Sequence, residues 1–356
     1  MVGLPTRDAI ADLLARHADL EATSADALAG DFLSGWQCEN PWQDALSRQV
    51  LAERTSINDG RYLYLEDDEL SRESLAAFHE VADGLRPTAL FCGAGSSSIL
   101  FAFCAYLRDS GVEEVFYLPP LYYTMHAALR LLGIRARPIS GRQAYEDGFR
   151  PNWPEHRCVF LLCDPIWYCG LGLHPHLISR LAEWQARTGS TVFVDGSFQY
   201  MRWDGVLREE TTRLEPERTI RLICPTKALG LHGFRFAHAI MPRALRDPFA
   251  SIYAGIYGST SADSLAFARV AARVLLAREI VPALMQEAGA VHRRLREAQA
   301  ISSPWSPDRG YFVFERINVD TGQDHLLMDG SFFEQRRLPA YRRINLLSPK
   351  IGVLGQ

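Results

Sequence analysis

Basic residues are not in excess in this chain: 38 lysines and arginines stand against 42 aspartates and glutamates, a net charge of −4 over 356 residues. Attachment to nucleic acid or to an anionic membrane draws on a field of positive charge, so neither partner is expected. Long apolar runs are missing too. No stretch approaches the roughly 18–20 residues that span a bilayer, and residues 1–21 alternate charged with apolar positions rather than forming the apolar core of a signal peptide. The chain therefore reads as cytoplasmic. Cysteine is sparse: the seven, at positions 38, 92, 104, 158, 163, 169 and 224, are an odd number, lie mostly in apolar stretches and form no paired Cys-x-x-Cys pattern. That argues against a disulfide frame and a zinc site, and no metal is expected. Gly-x-Gly-x-x-Gly and Walker-type loops are absent, which weighs against dinucleotide and nucleotide enzymes. There is no internal repeat and no low-complexity linker.

What is present is an ordinary globular composition, 47% hydrophobic and 22% charged, long enough for two closely packed domains. Residues 5–21 carry apolar positions at helical spacing, and an irregular aromatic stretch with Trp36 and Trp42 follows, of the kind that lies over another element. From about residue 70, short apolar segments bounded by Gly or Pro alternate with long helical patterns. The strand-like segments are 88–95, 112–120, 134–139, 158–165, 190–196 and 219–226. This alternation predicts βαβ units on a mainly parallel sheet. A long helical pattern over 262–300 then leads to strand-like segments at 310–319 and 342–348. The expected organisation is α/β: an N-terminal segment, 1–55, that joins a smaller α+β domain, 251–356, around a large domain, 56–250.

Parallel sheets bind ligands at the carboxyl ends of their strands. There the sequence places Gly93-Ala94-Gly95-Ser96-Ser97-Ser98 at a helix start, small residues with free amides and hydroxyls suited to an anion or equally to a plain helix cap. Tyr122 follows a Pro-Pro-Leu turn. Asp195 closes an apolar strand, where a buried carboxylate calls for a protonated partner. Lys227 follows another apolar strand, with Arg235 eight residues on in a Gly-rich run. Phosphate cradle, aromatic plate, carboxylate and lysine together answer the needs of pyridoxal 5′-phosphate.

In these residues the sequence resembles fold type I pyridoxal-phosphate enzymes, the class I/II aminotransferase-like family, from about residue 60 onward. The resemblance implies the aspartate aminotransferase-like fold and a homodimer with shared active sites. It makes Lys227 the Schiff-base lysine and Asp195 the partner of the pyridine nitrogen, with Tyr122 stacked on the ring. Gly95, Ser96, Ser97, Thr226 and Arg235 surround the phosphate, with Cys224 nearby, and Tyr64 reaches the neighbouring subunit's phosphate. Gly258-Ser259-Thr260 either does the same or simply begins a helix. Arg343, with Arg342 as rival, grips the substrate carboxylate in the Arg343-Ile344-Asn345 motif. The implied activity is that of an aminotransferase acting on an L-amino acid.

Two positions depart from the family pattern. Trp167 stands where an asparagine, and Phe198 where a tyrosine, bonds the cofactor's phenolic oxygen, so Trp167 lines the substrate site instead. Gln199 or Tyr168 are the candidates to replace those donors. The departures leave a second reading open: elimination, replacement, cyclisation, decarboxylation or oxidation of an amino acid. A catalytically silent binding subunit is the third, and the presence of both lysine and aspartate speaks against it.

Overall fold

The computed structural model describes residues 33–36, 38–58, 60–320, 334–335 and 337–355. The helix expected over 5–21 lies outside the described residues. Nine α-helices and ten strands are described: α1 Gln43–Arg54, α2 Glu69–Asp83, β1 Leu90–Gly93, α3 Ser96–Asp109, β2 Glu114–Tyr117, α4 Tyr123–Leu131, β3 Arg135–Pro138, β4 Val159–Cys163, α5 Pro175–Thr188, β5 Thr191–Gly196, β6 Thr219–Ile223, α6 Pro225–Ala228, β7 Ala237–Ile240, α7 Arg243–Tyr257, α8 Ala262–Ala277, α9 Ile280–Glu297, β8 Ile301–Ser302, β9 Phe312–Ile317 and β10 Tyr341–Asn345.

The large sheet has seven strands in the order β1-β7-β6-β5-β4-β2-β3. All neighbours run parallel except β7, which is antiparallel to both β1 and β6. The central β4, β5 and β6 read VFLLC, TVFVDG and TIRLI and are buried almost throughout, as expected for strands covered on both faces. Their register sets Cys163 beside Asp195 and Asp195 beside Leu222, so β4, β5 and β6 end on one edge. Helix signals are local and conventional. Pro175 opens α5 and Gly189, at φ +67°, closes it; Ser261 caps α8 by accepting the Ser264 N–H at 3.0 Å.

The smaller sheet, β10-β9-β8, is antiparallel. The segment at 33–40 is tied to it: Asn345 N donates to the Leu33 carbonyl at 2.6 Å and Glu39 N to that of Leu347 at 2.7 Å. Among the described residues no helix is long and apolar enough to cross a membrane, and no cluster of potential ligands for a metal is found.

Candidate active site

Lys227 sits on α6, one turn past the carboxyl end of β6, and is 9% exposed. Its Nζ has no hydrogen-bond or ion-pair partner among the described residues. It is surrounded instead by ring faces, with the centroids of Phe198, Tyr122 and Trp36 at 4.5, 5.4 and 5.5 Å. Ring faces at such distances attract a cationic nitrogen but supply no counter-charge.

Asp195 projects at the end of β5 and is also buried. Ser197 donates to its Oδ1 from both the amide, at 3.1 Å, and the hydroxyl, at 2.5 Å. Oδ2 receives no hydrogen bond from the described residues, which leaves it for an external N–H. Ser197 had no signal of its own in the sequence.

The glycine-serine turn expected to hold an anion lies at the start of α3. Gly95, its N-cap, has φ +84° and ψ 166°, a region open essentially to glycine. A Cβ there would stand 2.6 Å from the Arg235 guanidinium, so the missing side chain is what lets Arg235 lie against the turn. The amides of Ser96 and Ser97 head the helix without intrahelical partners, and their hydroxyls make no hydrogen bond to the described residues. Thr226, also buried, lies with its hydroxyl 3.1 Å from Cys224 Sγ.

Arg343 is fully buried in β10. One terminal nitrogen donates to the Ser34 carbonyl, while Nε and the other terminal nitrogen have no partner among the described residues. Trp36 and Phe312 cover the guanidinium at 4.4 and 4.2 Å. Burial pulls its pKa down to about 10, with Tyr123, Tyr122 and Tyr311 opposing. Arg342, the neighbour on the other face, is partly exposed and donates to the Pro339 and Tyr341 carbonyls. Only Arg343 points an unpartnered charge inward.

Trp36 links these parts. It stacks on Trp167, centroids 6.0 Å apart and planes 11° apart, and meets Tyr122 edge-on at 6.3 Å. Its segment is anchored by Asn345 Nδ2, which donates to the Gly35 carbonyl at 3.0 Å, and by His232 Nε2 on the Trp36 carbonyl at 3.1 Å. Burial and the Lys227 charge push His232 to about 4, so it stays neutral and donates from this tautomer. Trp42 is elsewhere, half-exposed at the start of α1.

Trp167 packs edge-on against Tyr122 at 5.0 Å. Neither candidate to replace the missing donors is available. Gln199 Nε2 donates to the Asp164 carbonyl at 3.1 Å and to Thr211 at 2.8 Å, while its Oε1 accepts from Arg221 at 2.8 Å. Tyr168 donates to Gln143 and lies 2.7 Å from the Tyr145 hydroxyl.

Tyr64 is not gathered around Lys227. It is 41% exposed and lines a separate cavity of about 330 Å³ with Arg246, Tyr253 and Thr260. Thr260 N donates to the Leu63 carbonyl at 2.9 Å, so Tyr64 and the Gly258–Thr260 segment share this edge.

Residues 35–335 match the family model described as "Aminotransferase class I and II". The chain belongs to the class I and II aminotransferase family. Similar solved structures include a probable N-succinyldiaminopimelate aminotransferase from Thermus thermophilus (17% identity, TM-score 0.75, covering 97% of this chain and 96% of that one). Two others are an aspartate aminotransferase from Rhizobium meliloti (18%, 0.76, 97% and 93%) and substrate-bound BacF from Bacillus subtilis (15%, 0.77, 99% and 94%). At these identities the likeness speaks for the fold, which is that of aspartate aminotransferase. No curated protein matches the chain at a significant level. The family is dependent on pyridoxal phosphate, and the chain is accordingly an enzyme of that class. The donor set fits the cofactor: a glycine-made cradle beside an arginine, a carboxylate with an open oxygen, and a buried lysine with no competing partner.

Proposed function

We propose that this aminotransferase-family enzyme acts at Cα of an L-amino acid, with Lys227 as its Schiff-base lysine. The observation that carries this reading is the pair of buried cationic side chains, Lys227 and Arg343, both lying against Trp36 and neither ion-paired among the described residues, with two of the Arg343 guanidinium nitrogens making no hydrogen bond. Gly95, Ser96, Ser97, Thr226 and Arg235 would hold the phosphate, Tyr122 the ring face and Asp195 the protonated pyridine nitrogen.

Bound pyridoxal phosphate supplies an aldehyde that captures an amine and a ring that takes up the electron pair left when a bond at Cα breaks. Asp195 keeps a proton on that ring's nitrogen, with Ser197 holding the carboxylate in place. Lys227 would serve as the base that moves the proton at Cα. Arg343 orients the amino acid by its carboxylate. Trp36, Tyr122, Trp167 and Phe198 exclude water, which strengthens each of these charge interactions.

The division into a cofactor domain at 56–250, a smaller domain at 251–356 and an N-terminal segment that joins the latter belongs to this proposal, supported by the bonds from 33–40 to β10 and its following turn. So does a homodimer, supported by the exposure of Tyr64 away from Lys227. A specific observation favours chemistry other than transamination. Phe198, its ring centroid 4.5 Å from Lys227 Nζ, carries no hydrogen-bonding group, and Gln199 and Tyr168 are committed elsewhere, so none of these three would donate to the cofactor's phenolic oxygen.

Absorption spectroscopy and borohydride trapping on wild type and Lys227→Ala test the lysine. A visible band present in wild type, fixed by borohydride and lost in the variant is expected; an unchanged band in Lys227→Ala rules the assignment out. Wild type mixed with an L-amino acid then separates the two chemistries: a 2-oxo acid formed stoichiometrically marks transamination, and ammonia or carbon dioxide released over many turnovers without an amino acceptor marks the other.

A further inference from the structure

The turn assigned to the phosphate is held from outside its own segment. Tyr253, on α7, accepts the Ala94 N–H at 2.8 Å and lies 3.1 Å from Ser98 Oγ. Ser98 donates to the Gly95 carbonyl at 2.9 Å. A serine hydroxyl has a single proton, already directed at Gly95, so the proton between the two hydroxyls belongs to Tyr253. The bonds run one way: Ala94 N–H to Tyr253, Tyr253 O–H to Ser98, Ser98 O–H to the Gly95 carbonyl. The Gly95 N–H closes on the Gly93 carbonyl at 2.8 Å. The Ala94 and Gly95 amides and the Gly95 carbonyl are thereby held within the turn, while the hydroxyls of Ser96 and Ser97 make no hydrogen bond to the described residues.

The neighbouring residues make room for this chain. A Cβ on Gly93 would stand 2.8 Å from both the Tyr253 oxygen and Ile99, so only glycine lets the phenol reach the turn. The ring itself is seated edge-on against Phe91 at 4.9 Å. Burial raises the phenol's pKa, which keeps its proton in place at working pH.

We propose that Tyr253 is a positioning residue for the cofactor phosphate: through Ala94 and Ser98 it fixes the turn in its anion-binding form before the ligand arrives. The inference rests on the reading of Gly95, Ser96 and Ser97 as the phosphate site. Prepaying the order of a binding loop raises affinity for the group the loop binds and for no other part of the ligand.

The test titrates apoenzyme with pyridoxal phosphate and, separately, with pyridoxal, which lacks the phosphate, following absorbance. Wild-type uptake of pyridoxal phosphate is the control for the underlying reading; its failure sinks that reading, whereas the inference is judged on the variants. Tyr253→Phe, which keeps the ring, is expected to weaken pyridoxal phosphate by about tenfold and leave pyridoxal unchanged. Ser98→Ala cuts the same chain at its next link and serves if the first variant does not fold. The double variant is expected to lose no more than the worse single one, since both break one chain. Equal weakening of both ligands, or no weakening of either, overturns the proposal.

Discussion

Replacing Arg343 by methionine should make the free protein more stable and the enzyme worse. The guanidinium is fully buried, with one hydrogen bond to Ser34 and two nitrogens unpartnered among the described residues. Its pKa falls from the ordinary arginine value to about 10, and at about 1.4 kcal/mol per pH unit the buried charge costs the unliganded protein on the order of 3 kcal/mol. Methionine fills a similar volume between Trp36 and Phe312 without a charge, though it leaves the Ser34 carbonyl without that donor. The expected net gain is about 2 kcal/mol, within what replacing buried ionic groups by apolar ones delivers, and a rise of a few degrees in the Tm of the apoenzyme. Function moves the other way. Loss of a buried charge partner for a carboxylate costs about 2–5 kcal/mol, so kcat/KM for L-amino acids should fall by about 30-fold or more. The corresponding primary amines, which lack the carboxylate, should react as before. Thermal melts without ligand and kinetics on each acid–amine pair provide the assay. A Met variant that melts well below wild type and still prefers the amino acid to the amine by the wild-type ratio would refute the reasoning.

Three further outcomes are expected. Gly95→Ala introduces about 1–3 kcal/mol of backbone strain and puts a methyl group 2.6 Å from the Arg235 guanidinium; equilibrium dialysis should show pyridoxal phosphate binding weakened at least about tenfold, and unchanged binding would contradict the cradle. Donors to a phenolate favour its ionised form and lower the pKa of the attached protonated imine. The visible spectrum of wild type should therefore hold its protonated form well above neutral pH, while Phe198→Tyr or Trp167→Asn brings the transition down by about one pH unit or more; a wild-type transition near pH 7 would contradict this. Burial pushes the Glu209 carboxyl up to about 7 from its ordinary 4.5, against the nearby Arg309. The native state then holds a proton that the unfolded chain gives up between these values, so stability falls as pH rises through that window. Glu209→Gln should remove that part of the slope, measured as urea midpoints on either side of it, and an identical slope in the variant would exclude the assignment.

Much of the site was legible because a parallel sheet brings its strand ends together whatever the loops do. Asp195 and Lys227 each follow an apolar run directly, and strand periodicity alone delivers them to one edge. Arg343 and Arg342 were not separable from sequence, since one residue of register decides which faces inward and that register is set by pairing Arg343 with Phe314 on β9. The seventh strand, β7, escaped notice: Ala237–Ile240 is four residues long and follows a glycine-rich run that reads as loop. Tyr253, Ser197 and His232 left no local signal, as each acquires its partner only when distant elements pack. The aromatic stretch around Trp36 was recognisable as a cover, but what it covers is determined by hydrogen bonds to β10 and to His232.

Those hydrogen bonds bear on when the enzyme becomes competent during folding. Asn345 reaches Gly35 across 310 positions of sequence. Closing so wide a loop is entropically expensive and contributes late contacts. The sheet that presents Lys227 and Asp195 is built from nearer neighbours and can form without it. The aromatic enclosure and the fixed Arg343 depend on that closure, so a molecule that has lost only the N-terminal contact is expected to keep Lys227 and Asp195 at the sheet edge and to lose its fixed grip on a substrate carboxylate.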